Sequence, residues 1–220
     1  MAETLAGTSN YLQNKLIDWE LRAQAFTPPA TVYVALLTCT NGPIARSLAY
    51  ALNNTVSFIA ADGNNHLYKC TTAGTTAASA PAYPGNLGEA ITDGTAVFTE
   101  QTVAIQANTA GIVVEPSGNA YARVGVTGAL TAWAGTQGAG TTVASTGTSA
   151  TTSNNAVIQF PTPTGTWTAS PIQVWGFATF DASTVGNLLR YGGLSADQVI
   201  NTGNNVSFAA GALTISNDQV

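Results

Sequence analysis

Charged residues are scarce in this 220-residue chain, where Asp, Glu, Lys and Arg make up 8% against about 25% in typical soluble domains. Six basic residues stand against eleven acidic ones, which gives a formal net charge of −5. Because no run of Lys or Arg could neutralise successive phosphates, the sequence excludes nucleic acid as a partner. Uncharged polar residues replace the charges. Such a surface is common in obligate assemblies, although a lone domain can also carry it.

Residues for catalysis and metal binding are also scarce. His66 is the one histidine, and it follows two asparagines in a predicted turn, where a solvated side chain is expected. The sequence contains no histidine pair, no Cys-x-x-Cys and no phosphate-binding glycine motif. It therefore predicts no catalytic residue, no metal, no cofactor and no enzymatic activity.

A polysaccharide hydrolase would need two carboxylates about 5 to 10 Å apart. Asp62 and Asp93 could approach each other if their two predicted turns lay at one end of the same small sheet. Each precedes a glycine, however, as aspartates in simple turns do. The sequence therefore favours turn roles for both.

Cysteines and membrane segments are few or missing. Cys39 and Cys70 are too few and too far apart for a disulfide framework or a metal cluster. Buried free thiols are favoured, and a mutual disulfide is the alternative. No run of about 18 apolar residues could span a bilayer, and residues 1–10 lack the features of a signal peptide. We expect cytoplasmic synthesis and no membrane insertion.

One helix is predicted near the N-terminus, with Ser9 or Asn10 as its cap and Pro28 and Pro29 at its end. Its stripe can pack on the chain's own β-domain or between subunits around a symmetry axis, and both interpretations stay open. The apolar residues recur every three or four positions and are candidate interface residues: Leu12, Leu16, Trp19, Ala23 and Phe26.

The rest of the main domain is predicted as β-structure. Residues 31–38 form a β-branched, apolar run that indicates a central strand. Residues 173–180 and 188–194 predict a hairpin, since Asp181 to Asn187 supply turn residues. In the first strand of this hairpin, alternation predicts Ile172, Val174, Ala178 and Phe180 on one face and Trp175 and Phe177 on the other. Further strands are expected over residues 103–114, 120–126 and 206–216.

Residues 55–101 differ in character and predict a small β-module of their own. Short strands are expected over residues 56–60, 67–71 and 96–100, with turns at residues 62–65 and 92–94. Because this segment abuts strands at both ends, we interpret it as an insertion at a loop tip that projects outward.

Two further segments bear on assembly. Residues 134–155 are rich in Gly, Thr, Ser and Ala, with Val143 as the one sizeable apolar residue. They predict a long surface loop or an arm that orders against a neighbour, and the arm is preferred. Arg123 lies in a strand context, where we expect it to meet an acid or a carbonyl across a sheet or a subunit interface.

Several fragments resemble a family of tailed-bacteriophage virion proteins usually labelled tail fibre or minor structural proteins. They are FPTPTGTW at residues 160–167, WGFATFDASTVGNLLRYGGL at residues 175–194 and VSFAAGALTI at residues 206–215. The N-terminal segment YLQNKLIDWELRAQAF, followed by TVYVALLT, resembles the helix and strand at the start of such proteins. The resemblance implies a structural role in a virion.

The module resembles a small β-module that recurs in phage structural proteins. The matching residues are Tyr68, Thr71, Thr72, Gly74, Pro81, Tyr83, Pro84, Asp93, Gly94, Thr95 and Phe98. Tyr83 and Phe98 stand where that module usually has tryptophan. Related carbohydrate-binding folds stack aromatic rings on sugars, so Tyr68, Tyr83 and Phe98 are candidate glycan-binding residues, with a role as the module's core as the alternative.

These observations combine into one expected protein. It is mainly β, with a β-sandwich or jelly-roll-like main domain (residues 1–54 and 102–220), one N-terminal helix and an inserted module (residues 55–101). The expected function is a non-enzymatic tail fibre or tail accessory component of a phage virion. It assembles through apolar β surfaces and the helix stripe as a homotrimer, displays the module at its surface and contacts other virion proteins. Capsid decoration and binding of a host surface glycan are the alternatives.

Overall fold

The structure is a computed structural model that describes residues 3–146 and 150–216. Residues 217–220, predicted as a loose end, lie outside the described residues. The elements in chain order are β1 (Glu3–Thr8), α1 (Asn10–Arg22), β2 (Thr31–Cys39), β3 (Ala49–Tyr50), β4 (Thr55–Ile59), β5 (Asn65–Thr72), β6 (Gly74–Thr75), β7 (Ala90–Asp93), β8 (Ala96–Glu100), α2 (Thr102–Gln106), β9 (Val124–Thr127), β10 (Thr151–Ser153), β11 (Ile158–Gln159), β12 (Gln173–Phe180), β13 (Leu188–Gln198), β14 (Ser207–Phe208) and β15 (Thr214–Ser216).

The main sheet has five antiparallel strands in the order β1-β13-β12-β2-β9. The predicted central strand (β2) and the predicted hairpin (β12 and β13) are confirmed, and β12 lies in the middle. Each face of this sheet is covered by a buried apolar cluster. The molecule is therefore mainly β and sandwich-like, as the sequence predicts.

A β-bulge in β12 makes the predicted division of its faces wrong. The register shifts between Val174 and Gly176 against both neighbouring strands. Val174 consequently packs in the same cluster as Phe177, while Trp175 packs with Ala178 and Phe180. The extra residue of a bulge shifts the alternation by one position, which sequence periodicity alone cannot show.

Two of the predicted strands have a different structure. Residues 102–106 form the short helix α2, which places Ile105 against the main sheet, and residues 107–114 follow as turns and coil. Residues 206–216 form only β14 and β15, which pair with β11 and β10 in separate two-stranded sheets. A short apolar run such as Val-Ala-Ile suits a helix or a strand equally, so its packing decides.

The module strands form a four-stranded sheet in the order β4-β5-β8-β7. It does not project from the main domain, because Leu67 of β5 packs in the same apolar cluster as Trp175. Asn65 Nδ2 donates to Asp197 Oδ1 at 2.6 Å, and the Ser57 hydroxyl also donates to Asp197. A Cβ on Gly193 would collide with the Asn65 carbonyl, so the two sheets lie in close contact.

The described part of residues 134–155 folds back on itself as a loop. Ala134 N donates to Ser153 O at 2.8 Å, which joins the two ends of the segment. Inside it, Gln137 Nε2 donates to Ala144 O at 2.7 Å, and Gly140 N donates to Asn155 Oδ1 at 2.9 Å. The described residues therefore fit the predicted surface loop, because their own polar groups satisfy one another, while an arm that orders against a neighbour stays a prediction.

Candidate assembly surface

Helix α1 leaves most of its apolar surface exposed. Ser9 caps it, since its hydroxyl accepts a hydrogen bond from Leu12 N at 3.2 Å, and Leu12 is buried against the chain's own domain. Leu16, on the same side, is only half-buried, and Trp19 is 58% exposed. The apolar stripe is therefore covered at the start of α1 and open at its end.

The opposite side of α1 is also apolar near its C-terminus. Ile17 is 53% exposed and Leu21 is 75% exposed. Because 100° separates successive helical residues, these two point away from Leu12. A helix that is apolar on two sides is usually buried, which this one is not within its own chain.

The other two residues of the predicted stripe lie outside the helix. Ala23 adopts a left-handed conformation with φ of 51°, so α1 ends at Arg22, before the two prolines. Ala23 is exposed and Phe26 is half-buried. Phe26 instead lines an apolar groove beside α1.

This groove, called here the Arg190 groove, has a volume of about 390 Å³. Its apolar walls come from Leu12, Phe26, Pro29, Val32, Trp133 and Ile215, and Arg190 and Thr179 contribute polar groups. Arg190 Nη1 donates to Thr8 Oγ1 at 3.1 Å and to Ser216 O at 3.3 Å. Within residues 3–146 and 150–216 no acid forms a salt bridge with Arg190. Burial lowers the pKa of this guanidinium.

Arg123 is held inside its own chain. Its guanidinium pairs with Glu115 at 2.6 Å, stacks on the Phe180 ring at 3.5 Å, and donates to the carbonyls of Ala182 and Val185. It meets an acid and carbonyls, as the sequence predicts, but all of them are intrachain. In the described structure Arg123 therefore fixes the β12–β13 hairpin, and its place at a subunit interface stays a prediction.

The candidate glycan-binding rings are the core of the module. Tyr68, Tyr83 and Phe98 are buried in one cluster, where the Tyr68 and Tyr83 rings meet edge to face with 5.0 Å between centroids. The Tyr68 hydroxyl donates to Pro84 O at 2.7 Å, and the Tyr83 hydroxyl donates to Asp93 Oδ2 at 2.7 Å. None of these three rings offers a face on which a sugar could stack.

His66 is buried between two carboxylates, and the prediction of a solvated turn residue is wrong. The preceding turn is completed by Asp62 Oδ1, which accepts from Asn64 N at 3.0 Å, so His66 already lies in β5. Its Nδ1 lies 3.1 Å from Glu100 Oε1, and its Nε2 lies 3.0 Å from Asp62 Oδ2. Both ring nitrogens are therefore engaged by carboxylates, and neither contacts a nucleophile.

The hydrogen bonds of His66 with Asp62 and Glu100 determine which form of the imidazole is favoured. Burial disfavours a charged His66, but the hydrogen bonds that its ring donates to the Glu100 and Asp62 carboxylates outweigh it and raise the pKa of His66. Burial likewise disfavours a charged Asp62, yet hydrogen bonds from Asn64 and His66 lower its pKa. The imidazolium form thus ties the β4–β5 turn to the end of β8.

The stability of the protein should depend on pH through His66. A raised pKa adds stability that is complete below the ordinary value of about 6.5 and is lost as the pH rises through the folded-state value. The lowered pKa of Asp62 adds stability that is lost only as the pH falls below about 4. We expect a higher urea midpoint at about pH 5.5 than at about pH 8.5, and a His66→Gln variant without most of that difference. An equal difference in His66→Gln would contradict the assignment.

The remaining candidate residues do not form a site. Asp62 and Asp93 lie at opposite ends of the module sheet, because β5 and β8 run antiparallel between the two turns. At about 3.3 Å per residue, the length of β5 separates them by roughly 20 Å, too far for a hydrolase pair. Cys39 and Cys70 are both buried free thiols, as favoured, and burial raises the pKa of Cys39 to about 11.

Sequence reasoning did not find Arg190, Ile17 or Leu21. Arg190 had one usable signal, since it is a lone charge within the apolar strand segment LLRYGGL. Glu100, which ends β8, was missed because its partners His66 and Gly88 depend on strand pairing. Among the described residues, no group of His, Cys, Asp and Glu is arranged to hold a metal ion. No helix there is long and apolar enough to cross a membrane.

The chain is a mainly antiparallel β protein with an apolar helix and an apolar groove at its surface. A family model described as podophage GP4 fiber I protein gp80 matches residues 7–83 and 87–216, and the chain belongs to this family. The predicted resemblance to tail fibre proteins is thereby confirmed, and the chain is a structural component of a phage virion. A comparison with curated proteins found no match. The boundaries of an inserted module at residues 55 and 101 stay a prediction.

Proposed function

We propose that this protein is a non-enzymatic fibre component that assembles with copies of itself, as a homotrimer, and with other virion proteins through α1. The observation that carries the proposal is the apolar surface of α1, of which its own chain fully buries Leu12 and half-buries Leu16. Leu16, Ile17, Trp19 and Leu21 remain for a partner. Full burial of one large apolar side chain contributes about 1.5–3 kcal/mol, so these four can supply much of an interface.

The absence of catalysis is proposed on the geometry of the polar residues. His66 is held by two carboxylates, and the Asp62 and Asp93 carboxylates face opposite ends of the module. Each is occupied with bonds that stabilise the fold. We also propose synthesis in the host cytoplasm, where Cys39 and Cys70 would stay reduced.

The residues 55–101 are proposed to be an inserted module held on the main sheet. They have their own four-stranded sheet and most of one aromatic core, which Tyr50 completes from outside the segment, and this supports a separate unit. Capsid decoration would need residues 134–155 as an arm that bridges neighbouring capsomers, and the closed loop of the described residues gives that alternative no support. A host glycan would need a surface other than Tyr68, Tyr83 and Phe98.

Removing Trp19 from the surface tests the proposal. Trp19→Ser should raise the dissociation constant of the oligomer at least about tenfold, since interface tryptophans are frequent hot spots. Native mass spectrometry over a range of concentrations measures this, with the mass of three chains expected for the wild type. Leu130→Ser is the matched control, because Leu130 is 54% exposed but outside α1. A wild-type chain that stays monomeric, or a Trp19→Ser oligomer of undiminished stability, would overturn the proposal.

A further inference from the structure

We infer that the Arg190 groove receives helix α1 of a second copy of this chain, with Glu20 of that helix placed against Arg190. The inference rests on the proposed function and names the surface that accepts the helix. It makes the contact head to tail, from the helix of one copy to the groove of the next. Such contacts close into a ring when the rotation between copies is a threefold one.

The groove matches one side of a helix in chemistry. Its walls are apolar, and it is bordered by Leu12 and Phe26, which extend the same apolar surface from the receiving chain's own N-terminal segment. At about 390 Å³ it falls near the small end of ligand pockets, which span roughly 300–1,000 Å³. It therefore suits a few side chains of a helix that lies across its mouth.

Helix α1 carries those side chains on one side. Leu12, Leu16 and Glu20 follow one another at four-residue intervals, so they share a face of the helix. Trp19 lies beside them. Leu12 is used within its own chain, whereas Leu16 and Trp19 are open at the surface.

The charges of Arg190 in the groove and Glu20 on α1 support α1 as the helix that binds there. Arg190 brings a guanidinium into an apolar groove and, within the described residues, pairs with no acid. Glu20 makes no hydrogen bond or ion pair in the part of the chain that the structure describes, whereas Asp18 on the same helix is paired with Arg22. A carboxylate from Glu20 would complete the hydrogen bonds of Arg190, and a guanidinium binds a carboxylate with two parallel bonds. The chain has only eleven Asp and Glu residues, so few other side chains could pair with Arg190.

Disulfide trapping between different copies tests the contact. One chain carries Glu20→Cys and a second, longer tagged chain carries Ser216→Cys, and the two are co-expressed and mildly oxidised. Ser216 is chosen because its carbonyl accepts from Arg190, so its side chain lies near the expected position of Glu20. The native thiols of Cys39 and Cys70 are buried and should not interfere. The expected product is a cross-linked pair with the summed mass of the two different chains.

The control replaces Ser216→Cys by Leu87→Cys, since Leu87 is exposed in the module and does not line the groove. A cross-link to Ser216→Cys several-fold above that control supports the inference. Cross-linking no better than the control, in a chain that assembles and depends on Trp19, overturns the groove but leaves the proposed function standing. A chain that never assembles removes both.

A charge reversal gives an independent readout on the same contact. Glu20→Arg should weaken the oligomer about a hundredfold, because two guanidinium groups would then face each other in an apolar setting. Glu89→Arg, the same charge reversal at an exposed residue of the module that does not line the groove, should leave the dissociation constant within about threefold. Equal effects from the two variants would contradict the pairing of Glu20 with Arg190.

Discussion

Replacing Asp93 by alanine is expected to lower the free energy of unfolding by about 3–5 kcal/mol, the cost of breaking a buried ion pair. The Asp93 carboxylate is buried and accepts three hydrogen bonds, from Arg46 Nη1 at 2.6 Å, the Tyr83 hydroxyl at 2.7 Å and Ala77 N at 2.8 Å. Without it, three donors lose their acceptor inside the module. The loss at Arg46 is the largest, because its Nη2 is already buried with no hydrogen-bond partner in the part of the chain that the structure describes.

The chain contains a matched control for this variant. Asp18 pairs with Arg22 at 2.7 Å, close to the 2.6 Å of Asp93 and Arg46, but on the exposed surface of α1. Asp18→Ala should therefore cost no more than about 0.5 kcal/mol, the usual value for an i, i+4 pair. Urea denaturation at neutral pH measures both. Similar losses in the two variants would show that burial does not determine the strength of the Asp93 pair.

The sequence alone predicted one role of Asp93 and missed the other. Its turn with Gly94 was predictable, since aspartate followed by glycine is typical of tight turns and the turn is local. Its buried partner was not, because Arg46 lies 47 residues away, outside residues 55–101, and meets Asp93 only in the tertiary structure. The turn was predicted correctly, whereas the contribution of Asp93 to the free energy of unfolding depends on the tertiary structure.

The same division applies to the fold. The helix and the long strands follow from local periodicity, and β2, β12 and β13 were predicted within a few residues. The bulge at Trp175 and helix α2 were not, because both depend on how a segment meets its neighbours. For the predicted arm, composition indicated low apolar content, but not that the hydrogen bonds of Gln137 and Asn155 would close it into a loop.

For the assembly surface, the sequence predicted the stripe of α1 but not which part of it stays open. That depends on the angle at which the helix leaves the main sheet after Leu12. The sequence pattern does not show which residues surround Arg190. Its role as a charged group in an apolar groove is visible only in the structure. The buried rings of Tyr68, Tyr83 and Phe98 were identified as core or glycan site, and only their exposure separates these roles.

The second large effect is expected from Trp175, which joins the main sheet to the module. Its side chain is buried at the bulge of β12, in the cluster that also contains Leu67 of β5. Trp175→Ala should lower the free energy of unfolding by about 3–5 kcal/mol, because it leaves a cavity where the two sheets meet. Loss of that packing should also make residues 55–101 more susceptible to limited proteolysis than the main sheet.

A comparison of two tryptophans separates packing from hydrogen bonding at this position. Trp175 Nε1 is buried and has no hydrogen-bond partner among the described residues, whereas Trp167 Nε1 donates to Asn119 O at 2.8 Å. Both rings are buried, so replacement by phenylalanine removes similar volume from each. Trp167→Phe should cost about 1 kcal/mol more than Trp175→Phe, the usual net value of one hydrogen bond. Guanidinium denaturation of both variants measures this, and a Trp175→Phe loss as large as that of Trp175→Ala would contradict it, because the ring should fill most of the cavity.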